Sequence, residues 1–334
     1  MTKNKYLKGF AFSFIITIVI VSFYTGFSGF KESLESLKSY SYKYAFFVMG
    51  IMILKLITES LILIVSLRSV EKKLGFLNAL KITILGAFFN YLTPFYTGGQ
   101  PFQIYYLTKN NVDASVATAV ILYKSMFFQI CLFFVGLFGA IYAYMNFSRY
   151  LFFAVLIGMI LNGLVVFLIL LFSLNEKLSK KTVIAITMGL KKIKIIKEPE
   201  KYMNRIMDEV ENFVKFFRKN AKGVLDKVII IILSFLQIFL FQITIPIIFK
   251  GNGIDFSLDL FMKSIVQNIG ASIVPTPGTS GGAEGYFYMI FNSDAVSAVV
   301  NSTLIIWRMC TYYFILFVGF LAFTFGYKKQ KNSL

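Results

Sequence analysis

The sequence predicts an all-α polytopic membrane protein: about six full transmembrane helices plus two re-entrant or discontinuous helix pairs in an inverted repeat. Three observations predict it. First, 57% of the 334 residues are hydrophobic and 15% are charged, where a soluble domain carries about a quarter charged residues. Second, several apolar segments reach the roughly 20 residues a helix needs to cross the hydrocarbon core. Third, two further hydrophobic segments are interrupted by Pro and Gly. The mean hydropathy is +0.72.

The composition also excludes chemistry. With no His, there is no Ser-His-Asp or Cys-His catalysis and no His-ligated metal. Cys131 and Cys310 lie inside apolar runs and read neither as a disulfide framework nor as a zinc cluster. No catalytic residue, metal or cofactor is therefore expected. A net charge of +18 would suggest nucleic acid in a soluble protein. On a membrane chain it reads as loops facing anionic lipid head groups, and no nucleic-acid partner is expected.

Full spans are expected at about 9–30, 44–67, 114–144, 150–174, 227–250 and 295–326. The first follows Lys3, Lys5 and Lys8, but its apolar stretch is too long for a signal peptide and no A-x-A site follows. It is expected to be a retained helix. The broken segments run from Ala79 to Tyr106, interrupted at Thr93-Pro94 and Gly98-Gly99, and from Leu258 to Phe291, interrupted at Pro275, Pro277-Gly278 and Gly281-Gly282. Bare backbone cannot face lipid, so such breaks must be buried in protein or line a wet cavity. The alternative is two ordinary helices kinked by Pro and Gly.

Basic residues set the orientation. If both broken segments return to the side they start from, the N-terminus, the 68–81 loop, the 175–227 loop and the C-terminus share one side. That side holds 24 Lys and Arg against 6 on the other. The positive-inside rule makes it the cytoplasm, with both termini cytoplasmic in a multi-pass plasma-membrane protein. One membrane domain is expected over 1–326, with repeat halves of about 79–144 and 258–326. A basic amphipathic cytoplasmic loop spans 175–227, and a basic tail spans 327–334.

The halves rest on an offset of 183 residues, which lays Thr93-Pro94 on Thr276-Pro277, Gly98-Gly99 on Gly281-Gly282 and Tyr105 on Tyr288. Inverted repeats with paired broken helices recur in transporters, with the substrate site near the midplane. Gly98, Gly99, Gly278, Gly281 and Gly282 leave the backbone free to turn. Helices starting after these turns are expected to aim unpaired N–H donors at an anion in the break.

The stretches TPFYTGGQPFQIYY (93–106) and VPTPGTSGGAEGY (274–286) carry a resemblance. The sequence resembles the membrane domain of lysylphosphatidylglycerol synthases, also described as flippase-like integral membrane proteins, over about 1–326. The resemblance implies movement of a phospholipid between leaflets, with anionic or aminoacylated phosphatidylglycerol as the expected cargo. In full-length synthases a soluble C-terminal domain makes the lipid from lysyl-tRNA. Here the chain ends at Leu334, and that domain is expected to be absent. The first motif also carries Gln100 and Gln103 where many relatives have acidic and arginine residues. The alternative is an enzyme, a phosphatidylglycerol lysyltransferase or its membrane subunit serving resistance to cationic peptides. A third reading is a membrane scaffold without transport. Candidate partners are membrane phospholipids, a separate synthase protein and further copies of this chain.

Ionisable residues inside a bilayer cost about 2.5–3.5 kcal/mol each at the centre, so they mark function by default. Lys124 and Arg308 both fall near mid-depth of their helices. They are expected either to hold a lipid phosphate between the repeats or to pair structurally with Glu59 or Glu284. Glu284 is a candidate for an aminoacyl ammonium or for balancing Arg308. Lys55 and Glu59, one turn apart, are expected to neutralise each other. Gln100, Gln103, Gln267 and Asn268 would bind a glycerol head group or satisfy broken backbone. Thr276 and Pro277 complete the candidate binding set. In the 175–227 loop, apolar residues recur at helical spacing from about Pro199 to Lys222. This reads as an interfacial helix on anionic lipid or as a cytosolic hairpin packed on itself.

Overall fold

The computed structural model describes residues 35–192, 203–220 and 223–331. The expected span at 9–30 and the last residues of the basic tail lie outside the described residues. Among the described residues every regular element is helical. Five stretches of the described residues are long and apolar enough to cross a membrane: Tyr42–Arg68, Ala114–Asn146, Arg149–Leu174, Val224–Gly251 and Ser297–Thr324. They correspond to five of the six expected spans.

Helix α1 (Tyr42–Arg68) tolerates Thr58, Ser60 and Ser66 in an apolar run because each hydroxyl donates to the carbonyl four residues back, at 2.9, 2.7 and 2.8 Å. Next come α2 (Phe76–Tyr91), a 3-10 turn (Pro94–Tyr96) and α3 (Gly99–Lys109). Then α4 (Ala114–Asn146) and α5 (Arg149–Leu174) pack as an antiparallel pair joined by a short turn. Only 17% of the spanning window of α5 is buried, and Phe153, Ile157, Ile160 and Leu164 point outward, the surface a lipid-facing helix needs.

Two helices follow, α6 (Glu176–Lys192) and α7 (Met203–Asn220). The sequence reading placed one helix in this loop, and the structure adds α6. The two helices pack on each other, as the hairpin alternative expects, with Lys180 of α6 paired to Glu211 of α7 at 3.3 Å. Phe217 of α7, 2% exposed, packs with Tyr123 of α4 and Ile230, with Phe213 and Phe216 against the same cluster. The apolar stripe docks on membrane helices because they offer it a matching apolar surface.

The second half of the chain runs α8 (Val224–Gln242), α9 (Thr244–Gly251), α10 (Leu258–Ala271), a 3-10 turn (Pro277–Thr279), α11 (Gly282–Phe291) and α12 (Ser297–Arg308). A π-helical segment (Met309–Tyr313) then leads into α13 (Phe314–Lys331). The hydroxyl of Ser257 caps α10 by accepting the Leu260 N–H at 3.1 Å. Shifting α3 by 183 gives 282–292, against Gly282–Phe291, and the turn Pro94–Tyr96 falls on Pro277–Thr279. Likewise the start of α4 falls on that of α12, and α1 falls on α8 plus α9. The two 3-10 turns touch each other. Behind them Phe249, Phe287, Phe291 and Trp307 form a close aromatic cluster.

Candidate functional site

Each broken segment has an ion pair beside it. At the first, Lys124 of α4 donates to Glu59 of α1 at 2.8 Å and to the Gln103 carbonyl oxygen at 3.2 Å. Gln237 of α8 donates to the other Glu59 oxygen at 3.3 Å, and the Gln103 amide reaches the carboxylate at 3.5 Å. Lys124 is 7% exposed and Gln103 3%. Four helices thus converge on one carboxylate.

At the second, Arg308 of α12 donates through Nε to Glu284 of α11 at 2.7 Å and through Nη1 to the Gly278 carbonyl at 3.2 Å. Its Cζ lies 5.0 Å from the Tyr312 ring centroid, a cation–π contact. The other Glu284 oxygen accepts the Gly281 N–H at 2.7 Å, so the carboxylate reaches back over the first turn of α11. Arg308 Nη2 is buried and has no hydrogen-bond partner in the described structure.

Lys124 and Arg308 are therefore each held by a carboxylate, with Glu59 and Glu284 as partners. Lys55 and Glu59 lie within electrostatic reach of each other but make no direct salt bridge. Glu59 turns to Lys124 because that ammonium also reaches Gln103, whereas Lys55 lies over the Phe241 ring, 6.0 Å from its centroid.

The glycines serve differently from the expectation. The N–H groups of Gly98, Gly99 and Gly281 are not aimed at an empty break: they donate to Thr93 Oγ1 at 2.8 Å, Asn90 Oδ1 at 2.8 Å and Glu284 Oε2 at 2.7 Å. Buried N–H donors are costly to leave unpaired, so nearby side chains take them. Gly99 is required by close approach, since a Cβ there would sit 2.3 Å from the Gly86 carbonyl oxygen. Gly278 is required twice over. Its φ is +59, and a Cβ would sit 2.1 Å from the Tyr312 ring. Gly282 opens α11 and is buried.

The remaining candidates mostly brace the breaks. Gln100 donates to Ser125 at 3.1 Å, Gln267 to the Ala283 carbonyl at 3.1 Å, and Thr276 to the Ser280 carbonyl at 2.6 Å. Asn268 accepts from Gln242 at 3.4 Å. Pro277 starts the second 3-10 turn, where its missing N–H costs nothing.

Between the ion pairs lie tyrosines that the sequence reading did not single out. Tyr96 and Thr279 meet through their hydroxyls at 3.3 Å. Tyr91 packs edge-on against both Tyr96 and Tyr312, at 5.5 and 5.3 Å, and lies within electrostatic reach of both Arg308 and Glu59. One aromatic seam thus runs from Tyr96 through Tyr91 and Tyr312 to Arg308. A cavity of about 760 Å³ opens elsewhere, lined by Leu122, Val165, Leu168, Phe172 and Phe213, and includes neither pair.

Against known proteins, residues 10–319 match the family described as lysylphosphatidylglycerol synthase TM region. A UPF0104 membrane protein of Archaeoglobus fulgidus is 25% identical over 272 residues, covering 78% of this chain and 79% of that relative. No solved structure matches.

Proposed function

From the premise that this chain belongs to the lysylphosphatidylglycerol synthase TM-region family, we propose that it binds a phospholipid head group between its two broken-helix units and moves it across the bilayer. Membership ties the chain to a membrane role in lipid handling. One observation carries the finer reading: two turns at equivalent places along the chain touch at Tyr96 and Thr279, with a buried ion pair beside each. We read the two units as an inverted repeat, with the basic 175–227 loop and both termini in the cytoplasm. The contact closes the path in the conformation described and parts when the site changes sides. Arg308 Nη2 supplies a donor for a phosphate oxygen, and Glu284 and Glu59 hold the cations in place until the lipid arrives.

The test is flipping of a fluorescent anionic phospholipid in liposomes of phosphatidylcholine and phosphatidylglycerol. The double variant Arg308→Gln/Glu284→Gln removes the charges together, so neither is stranded. It is expected to fold and to flip about tenfold more slowly or worse, the scale of a lost charged hydrogen bond. Arg308→Lys keeps the charge but loses the planar fork and should retain part of the rate. Wild-type rates in the double variant would contradict the reading.

The family's description favours a second reading, a membrane part in lysylphosphatidylglycerol synthesis. It predicts new lysylphosphatidylglycerol in lipid extracts of cells expressing the chain alone, which a pure flippase would not produce.

A further inference from the structure

The first ion pair carries more positive charge than it neutralises. Lys55 lies one helical turn before Glu59 on α1, at position 14 of a 27-residue membrane helix. Glu59 is already engaged by Lys124, Gln103 and Gln237. Among the described residues Lys55 has no ion pair and no hydrogen bond; its contact is the Phe241 ring at 6.0 Å, the outer limit of a cation–π interaction. The second half-site is balanced, with one Arg for one Glu. Two lysines thus share one carboxylate at the first half-site, and the cluster keeps a single unbalanced positive charge inside the helix layer.

An unpaired ammonium at this depth costs several kcal/mol unless an anion or water meets it. Other charged residues of the layer are not left this way: Lys124 and Arg308 each have a carboxylate, and Lys263 has both Asp259 and Asp294. Lys55 is half-buried, open enough for a ligand atom to reach it.

Resting on the lipid-binding reading above, we infer that Lys55 receives an anionic phosphate oxygen of the cargo, so that the first half-site selects lipids of net negative charge. A zwitterionic head group brings its own cation into a cluster that is already positive, and a lysylated one brings two. Both are disfavoured by like charge at low dielectric. The cargo class is therefore the anionic phospholipid itself rather than its aminoacylated form. Free phosphate shares the chemistry, but the flanking Phe241 ring and the mid-helix depth suit a head group that arrives attached to acyl chains.

The test uses Trp307, the single tryptophan of the chain, 3% exposed and next to Arg308, as an energy-transfer donor to dansyl-labelled lipids. The full chain is titrated in mixed micelles with dansyl phosphatidylglycerol, phosphatidylcholine and lysylphosphatidylglycerol. Wild type is expected to take the anionic lipid about tenfold more tightly than either other, the scale of one charged hydrogen bond. Lys55→Met, which removes the half-buried charge and leaves Glu59 with Lys124, should bind all three alike, while Lys55→Arg keeps the preference. Equimolar inorganic phosphate should not displace the lipid; displacement would overturn the lipid source of the anion. A preference that survives in Lys55→Met would overturn the role of Lys55 and leave the lipid reading standing. Wild type that binds none of the three lipids would overturn that reading and the inference together.

Discussion

The hydroxyls of Tyr96 and Thr279 lie 3.3 Å apart although 183 residues separate them in the chain, the offset that lays one broken segment on the other. Each residue thus touches its own counterpart. Both hold left-handed backbone, φ +54 and φ +52, which costs a non-glycine residue about 1–3 kcal/mol. The contact joins an aromatic seam that runs through Tyr91 and Tyr312 to Arg308.

The tight glycines give a stability prediction. Gly99→Ala and Gly278→Ala push a Cβ to 2.3 and 2.1 Å from their neighbours and should each lose about 1–3 kcal/mol. Gly50, inside α1 with nothing within 4 Å, is the control; Gly50→Ala should gain about 0.5–1 kcal/mol. Thermal melts followed by size-exclusion profiles check both signs.

The second ion pair gives another. Glu284 is 0% exposed and Arg308 3%, so Glu284→Gln strands a buried guanidinium and should cost about 3–5 kcal/mol. Adding Arg308→Gln should recover most of that loss, because the desolvated charge goes with it. A double-mutant cycle on unfolding midpoints measures the recovery. If the two losses simply add, the pair is not coupled.

The proposed orientation is tested by thiol labelling in intact cells. Cys131 and Cys310 are buried and give a quiet background. Single cysteines at Ser39 and Asn146 should react with an impermeant reagent from outside, and one at Lys192 only after the cells are opened. Outside labelling at Lys192 would overturn the orientation.

Much of this architecture was legible in the sequence, because span length and the Pro/Gly breaks are local signals. Glu284 and Arg308 were legible for the same reason: charge in an apolar run stands out, and the carboxylate lies in the glycine motif. The partner of Glu59 was legible only as a choice between Lys55 and Lys124. Lys55 is its neighbour by helical spacing, but Lys124 sits 65 residues away and wins by geometry that only packing sets. Gln237 stood in plain view within an apolar run and is the residue a closer reading would have found. Tyr91, Tyr96 and Tyr312 were hidden among 19 tyrosines, where aromatic residues are common and carry no positional signal.

The central claim is that cargo passes where the two turns meet, so the turns must part. Cysteines at Tyr96 and Thr279, joined by a short bifunctional thiol reagent with a reducible linkage, would hold them together. Flipping of a fluorescent phosphatidylglycerol is then followed in liposomes by quenching the outer leaflet with an impermeant reductant, before and after the link is cleaved. The account predicts flipping at the protein-free background while the link is intact and recovery once it is cleaved. Equal flipping by the linked and cleaved protein, both well above background, would contradict it.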